Sequence, residues 1–177
     1  MSVFLLILSI LFWLAALVLL PSRPLLAPAL SYLGMLSISF CNTGGVPWVP
    51  INNQMIISWV CITVVVMMAT MLQPSAVRNQ TRGMAYIIGG GIVGMVVGLL
   101  GFTVSSAIGM LYGIMIIATI AGIFFGFLLY SNTPDGRPMR IGGGLFFKYL
   151  LAKGFPTAVT LMQIGLVFVL LIALRGE

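Results

Sequence analysis

The sequence predicts an all-α integral membrane protein, a compact bundle of about six transmembrane helices with a glycine-rich hairpin between the fourth and fifth. Three observations predict it. Hydrophobic residues make up 61% of the 177 positions and charged residues 6%, against about 25% charged in a soluble domain. Apolar runs of membrane-spanning length follow one another with short polar gaps. The basic residues collect in alternate gaps, as cytoplasmic loops require. Mean hydropathy is +1.23, so residues 1–177 are expected to form a single polytopic membrane domain with no water-exposed globular part.

The first span is expected at residues 3–20. No charge precedes it, and its apolar run exceeds that of a signal peptide, so a retained helix is expected. Phe12 and Trp13 would face lipid or a neighbouring helix. Pro21 and Pro24 bracket Arg23 and stop the helix. The second span, 25–41, is short. Pro28 falls in its first turn, where proline is tolerated. Ala27, Ser31, Gly34, Ser37 and Cys41 recur at helical spacing as a small-residue packing face. From Asn42 to Gln54 the chain has no charge, and its prolines and glycines predict turns. Trp48 suits a membrane interface.

The third span, 55–73, is rich in Val, Ile and Thr. Its length decides for a helix over a buried strand. The fourth and fifth spans, 84–102 and 105–130, are separated by about two residues and must be antiparallel neighbours. Between them lie Gly90, Gly91, Gly94, Gly98, Gly101, Gly109, Gly113, Gly122 and Gly126. In water each glycine would weaken a helix by about 1 kcal/mol relative to alanine. In lipid the backbone must satisfy its own hydrogen bonds, and glycine becomes a flat surface for another helix. Both four-residue and alternating three-and-four spacings are present, so the handedness of the crossing stays open. The face is expected to close the hairpin or to receive another subunit, and the number of glycines favours keeping both.

The stretch from Ser131 to Lys153 opens with a strong turn signal, Ser-Asn-Thr-Pro-Asp-Gly-Arg-Pro. Residues 145–153 suit a short interfacial helix or an extension of the last span. That span is expected at 156–174, with proline at its start and Gln163 inside it.

With six spans, one side carries Arg23, Arg78, Arg82, Arg137, Arg140, Lys148 and Lys153 and the other only Arg175. The loops at 74–83 and 131–155 are therefore expected to be cytoplasmic and both termini outside, in an inner or plasma membrane. Two halves of three spans each share no residue pattern that would mark an inverted repeat.

The chemistry is mostly negative. Histidine is absent, which removes imidazole metal sites and histidine catalysis. No Asp, Glu, Lys or Arg falls within the expected spans, which argues against a proton-coupled transporter or pump. Gly142, Gly143, Gly144 and Lys148 lack the spacing of a phosphate-binding loop. Asn79-Gln80-Thr81 matches a glycosylation pattern on the cytoplasmic side, where it would stay unmodified. No basic stripe with interleaved aromatics suggests nucleic acid. No catalytic residue, metal ligand or cofactor is expected.

Two polar groups remain. Asn42, Asn52, Asn53 and Gln54, with Gln163, are candidates for an outer vestibule. Arg137, Arg140, Lys148 and Lys153 are candidates for contacts with anionic lipid. The function expected is that of a non-catalytic subunit or scaffold of a membrane complex, forming homo- or hetero-oligomers through the glycine-rich helices. The alternative is a small-solute transporter or channel, or the membrane substrate-binding component of a larger system.

Overall fold

The computed structural model describes residues 2–43, 46–100, 108–140 and 143–175. Its order is α1 (Ser2–Leu19), α2 (Ala27–Ser39), β1 (Asn42–Thr43), β2 (Val46–Pro47), α3 (Asn53–Met71), α4 (Ser75–Arg78), α5 (Met84–Leu100), α6 (Ile108–Ser131), α7 (Phe146–Tyr149) and α8 (Phe155–Arg175). A 3-10 turn at Arg137–Met139 lies between α6 and α7. The segments Asn53–Met71, Gly109–Ser131 and Phe146–Ala173 are long and apolar enough to cross a membrane. Three shorter apolar helices accompany them.

The expected turn region after α2 contains a minimal antiparallel ladder. Asn42 pairs with Pro47 and Thr43 with Val46. Helix α2 is shorter than expected, at 13 residues. A helix of that length extends about 20 Å, less than the roughly 30 Å hydrocarbon thickness. Its small-residue face is used twice. The Ser9 hydroxyl donates to the Gly34 carbonyl at 2.8 Å, and Trp13 lies so close to Gly34 that a Cβ there would overlap the indole. On the same helix, Ser31 donates to the Thr160 carbonyl of α8 at 3.1 Å.

Of the two expectations for residues 145–153, the structure takes the extension of the last helix, which begins at Phe146 rather than Pro156. Helix α7, a π turn at Leu150–Gly154 and α8 run on without interruption. Proline has no N–H to donate, and its ring crowds the carbonyl four residues earlier. The π turn widens the helix just before Pro156, with the Phe155 N–H bonded to the Leu150 carbonyl. The earlier start brings Lys148 and Lys153 onto a helix of spanning length. The expected span itself, 156–174, holds no ionisable residue.

Helix α8 is the centre of the bundle and packs on α1, α2, α3, α5 and α6. Phe146, Tyr149, Lys153, Pro156, Thr160, Gln163, Val167 and Leu170 alternate spacings of three and four, and all are buried. Close packing along this face and interhelical hydrogen bonds such as Ser31 to the Thr160 carbonyl and Gln163 to Thr63 join α8 to its neighbours.

Helices α5 and α6 form the expected hairpin, and their connection at 101–107 lies outside the described residues. Gly83, with φ +83°, lets the chain turn into α5 under the ring of Tyr130. A side chain would be strained in that conformation.

Candidate functional site

The site is built from the way three helices share one floor. Helices α3 and α6 both pack on α8 but have little direct contact with each other. A lateral groove is left between them. Its α3 wall consists of Gln54, Met55, Ser58, Trp59, Ile62 and Val66. Spacings of three and four put these residues on one helical face. The α6 wall is Tyr112, Ile116, Ile120, Ile123 and Phe124. Ala158, Val159 and Met162 form the floor, with Leu150, Gly154 and Phe155 at the π turn.

The groove has two connected parts that share Ile62, Ile116, Val159 and Met162. One part, of about 540 Å³, includes Gln54, Ser58 and Tyr112. The other, of about 370 Å³, is lined almost wholly by apolar side chains. Trp59 and Tyr112 face each other across the groove, one on each wall.

Behind the α3 wall, Gln163 Nε2 donates to Thr63 Oγ1 at 2.8 Å, and Thr63 donates to the Trp59 carbonyl at 2.6 Å. Gln163 is fully buried, and its Oε1 has no hydrogen-bond partner among the described residues. These bonds fix α3 on α8 and hold Trp59 in position on the groove wall.

The glycines divide into two sets. A Cβ at Gly94 would strike the Ala118 carbonyl, and one at Gly90 the Gly122 carbonyl. Gly98 faces the Met115 backbone, and Gly126 faces that of Tyr86. Gly91 faces Leu161 of α8 and Ile123. All of these lie at contacts inside the bundle. Among the described residues, a Cβ at Gly89, Gly109 or Gly113 would meet nothing within 4 Å. At about 100° per residue Gly109 and Gly113 stand on the side of α6 that carries Tyr112, Ile116 and Ile120. Gly101 lies outside the described residues.

The polar candidates do not form one cluster. Asn42, Asn52 and Asn53 are exposed along the α2–α3 connection. Gln54 lines the groove. Gln163 is enclosed in the core. Among the basic candidates, Arg137 and Arg140 are exposed at the 3-10 turn and Lys148 on α7. Lys153 is set apart from them. It is 0% exposed, and its Nζ lies 3.5 Å from the Pro21 carbonyl.

The fold also gathers basic loops that are distant in sequence. Arg23 and Arg78 line one cleft. The Tyr149 hydroxyl of α7 donates to the Arg82 carbonyl at 2.7 Å. Sequence reasoning missed Trp59, Tyr112 and the burial of Lys153. The spacing from Phe146 to Leu170 was the available signal for the last of these.

No protein-family model, curated protein or solved structure matches this chain.

Proposed function

We propose that this chain is a non-catalytic integral membrane protein with six transmembrane helices, and that it serves as a subunit of a membrane complex. Its basic loops face the cytoplasm and its termini face outside. One observation carries this reading. Two glycines, Gly109 and Gly113, are left uncovered on the α6 side of an apolar groove whose walls and floor are otherwise complete. A partner helix lying in the groove would approach α6 at those glycines, as small-residue faces allow.

This refines the expectation for the glycine-rich helices. Gly90, Gly91, Gly94, Gly98, Gly122 and Gly126 are covered within the chain, so the contact with a partner is assigned to Gly109 and Gly113, which share the groove side of α6. The partner is a second copy of this chain or another membrane protein.

The test is co-purification in mild detergent, with Gly113→Leu and Ile116→Trp as the obstructing variants. Both are expected to release a partner that the parent chain retains, without lowering thermal stability. A parent chain that purifies as a lone monomer, or variants that keep the partner, would overturn the assignment.

A second reading draws on the polar end of the groove, where Gln54, Ser58 and Tyr112 meet. These side chains suit a small amphipathic solute, as in a transporter or a membrane substrate-binding component. Ligand-dependent thermal stabilisation, lost in Gln54→Ala and Tyr112→Phe, would favour that reading over the subunit.

A further inference from the structure

At the end of the bundle that carries the basic loops, the α1–α2 turn and the α3–α4 corner enclose a cleft of about 760 Å³. Ser22, Arg23, Pro24, Leu25 and Leu26 form one wall, and Met71, Arg78 and Asn79 form the other. A guanidinium stands on each wall, and none of the lining residues is acidic. The chain has only two acids, Asp135 and Glu177. Arg78 is half-buried and Arg23 exposed, so one cation is set into the fold while the other stays adjustable.

Part of the lining is apolar and exposed: Leu26 and Met71 are 40% and 52% exposed, and Leu72, next to Met71 in the chain, is 83% exposed. Helix α2 begins here and α3 ends here, which sets the cleft where apolar helix gives way to polar loop. Two planar cations above exposed aliphatic side chains match a molecule with an anionic head and a hydrocarbon tail. A guanidinium pairs with phosphate through two parallel hydrogen bonds, and the Asn79 amide adds a further donor.

We propose that this cleft binds the phosphate of an anionic phospholipid headgroup through Arg23 and Arg78. The acyl chains run along Leu26, Met71 and Leu72. The proposal rests on the membrane placement given above, and it assigns a lipid to a position separate from the α3–α6 groove.

The experiment uses the full chain in nanodiscs of phosphatidylcholine, titrated with phosphatidylglycerol and followed by native mass spectrometry and thermal melting. The parent chain is expected to retain one phosphatidylglycerol per monomer and to be stabilised by it. Arg23→Gln/Arg78→Gln is expected to weaken that binding about thirtyfold, while Arg137→Gln/Arg140→Gln leaves it unchanged. Arg23→Gln alone alters only an exposed side chain and serves if the double variant folds poorly. Its expected loss is about fivefold.

Inorganic phosphate and glycerol phosphate, added to phosphatidylcholine discs, separate the sources of the anion. Stabilisation by lipid alone supports the proposal. Equal stabilisation by the soluble esters would replace the lipid with a soluble phosphate ligand and overturn it. Equal retention of phosphatidylcholine and phosphatidylglycerol by the parent chain, or unchanged binding in the arginine variants, would also overturn it. Failure of the chain to enter nanodiscs would instead defeat the membrane placement beneath it.

Discussion

The ammonium nitrogen of Lys153, on the π turn leading into α8, lies 3.5 Å from the carbonyl oxygen of Pro21. Pro21 lies two residues past the end of α1, near the last unpaired carbonyls that give a helix end a partial negative charge. Among the described residues, Lys153 is the one fully buried cation, and it points at the C-terminal end of α1. This contact ties the first helical hairpin to the central helix.

Replacing Lys153 separates its packing from its charge. Lys153→Met keeps most of the volume and removes a buried cation held by one long hydrogen bond. It is expected to change stability by no more than about 1 kcal/mol, and a small gain is allowed by the cost of burying charge. Lys153→Glu sets a carboxylate against a carbonyl and is expected to cost about 3–5 kcal/mol. Thermal melting in detergent checks both. Equal losses for the two variants would show that the ammonium contributes more than its stem.

At Gly94 the expected outcome follows from the Ala118 carbonyl that faces it. Gly94→Ala forces α5 and α6 apart at backbone contact and is expected to cost about 1–3 kcal/mol. Gly109→Ala, with open space around it, is expected to be neutral to slightly stabilising. A melting series over both positions distinguishes seam glycines from uncovered ones. Equal responses would mean that the seam does not depend on close approach.

The Gln163–Thr63 pair allows a double-mutant cycle. Thr63→Val leaves both polar ends of buried Gln163 without a side-chain partner and is expected to cost about 1–3 kcal/mol. Gln163→Leu also removes the Oε1 that has no partner, so its cost should be smaller. The double variant should recover most of the Thr63→Val loss, since replacing both partners by apolar groups is nearly neutral. A purely additive double variant would contradict this.

Topology is open to labelling with a membrane-impermeant maleimide in whole cells. Asn53→Cys, at the start of α3, is expected to label from outside. Asn132→Cys, just after α6, is expected to label only after permeabilisation. Native Cys41 is buried and native Cys61 is exposed on α3, so both variants are made in a Cys61→Ser background. The reverse pattern would invert the orientation drawn from the basic loops.

Much of the helix layout was legible because long apolar runs and proline stops act locally. Leu19 to Ala27 shows this, with two prolines and an arginine between two helices. The α5–α6 hairpin was legible because a short connection permits only antiparallel neighbours. The start of the last helix stayed open in the sequence between a separate interfacial helix and an extension, because Pro156 looks like a boundary when its N–H is considered alone. A π turn at Leu150–Gly154 carries the helix past that proline. The candidate site was less legible. Gln54 and Gln163 are both polar residues on apolar helices, yet one lines the groove and the other is sealed behind it.

By itself the sequence determined the helices, their apolar character and the segregation of basic residues, since all three follow from hydropathy, length and charge along the chain. Tertiary structure alone decided which glycines are covered, which cation is buried and which helix is central. Those outcomes depend on which faces meet. Where a helix is apolar on most of its faces, as α5 and α6 are, hydrophobicity carries little instruction about facing. The choice falls to backbone approach, as at Gly94 against Ala118, and to single hydrogen bonds, as between Gln163 and Thr63.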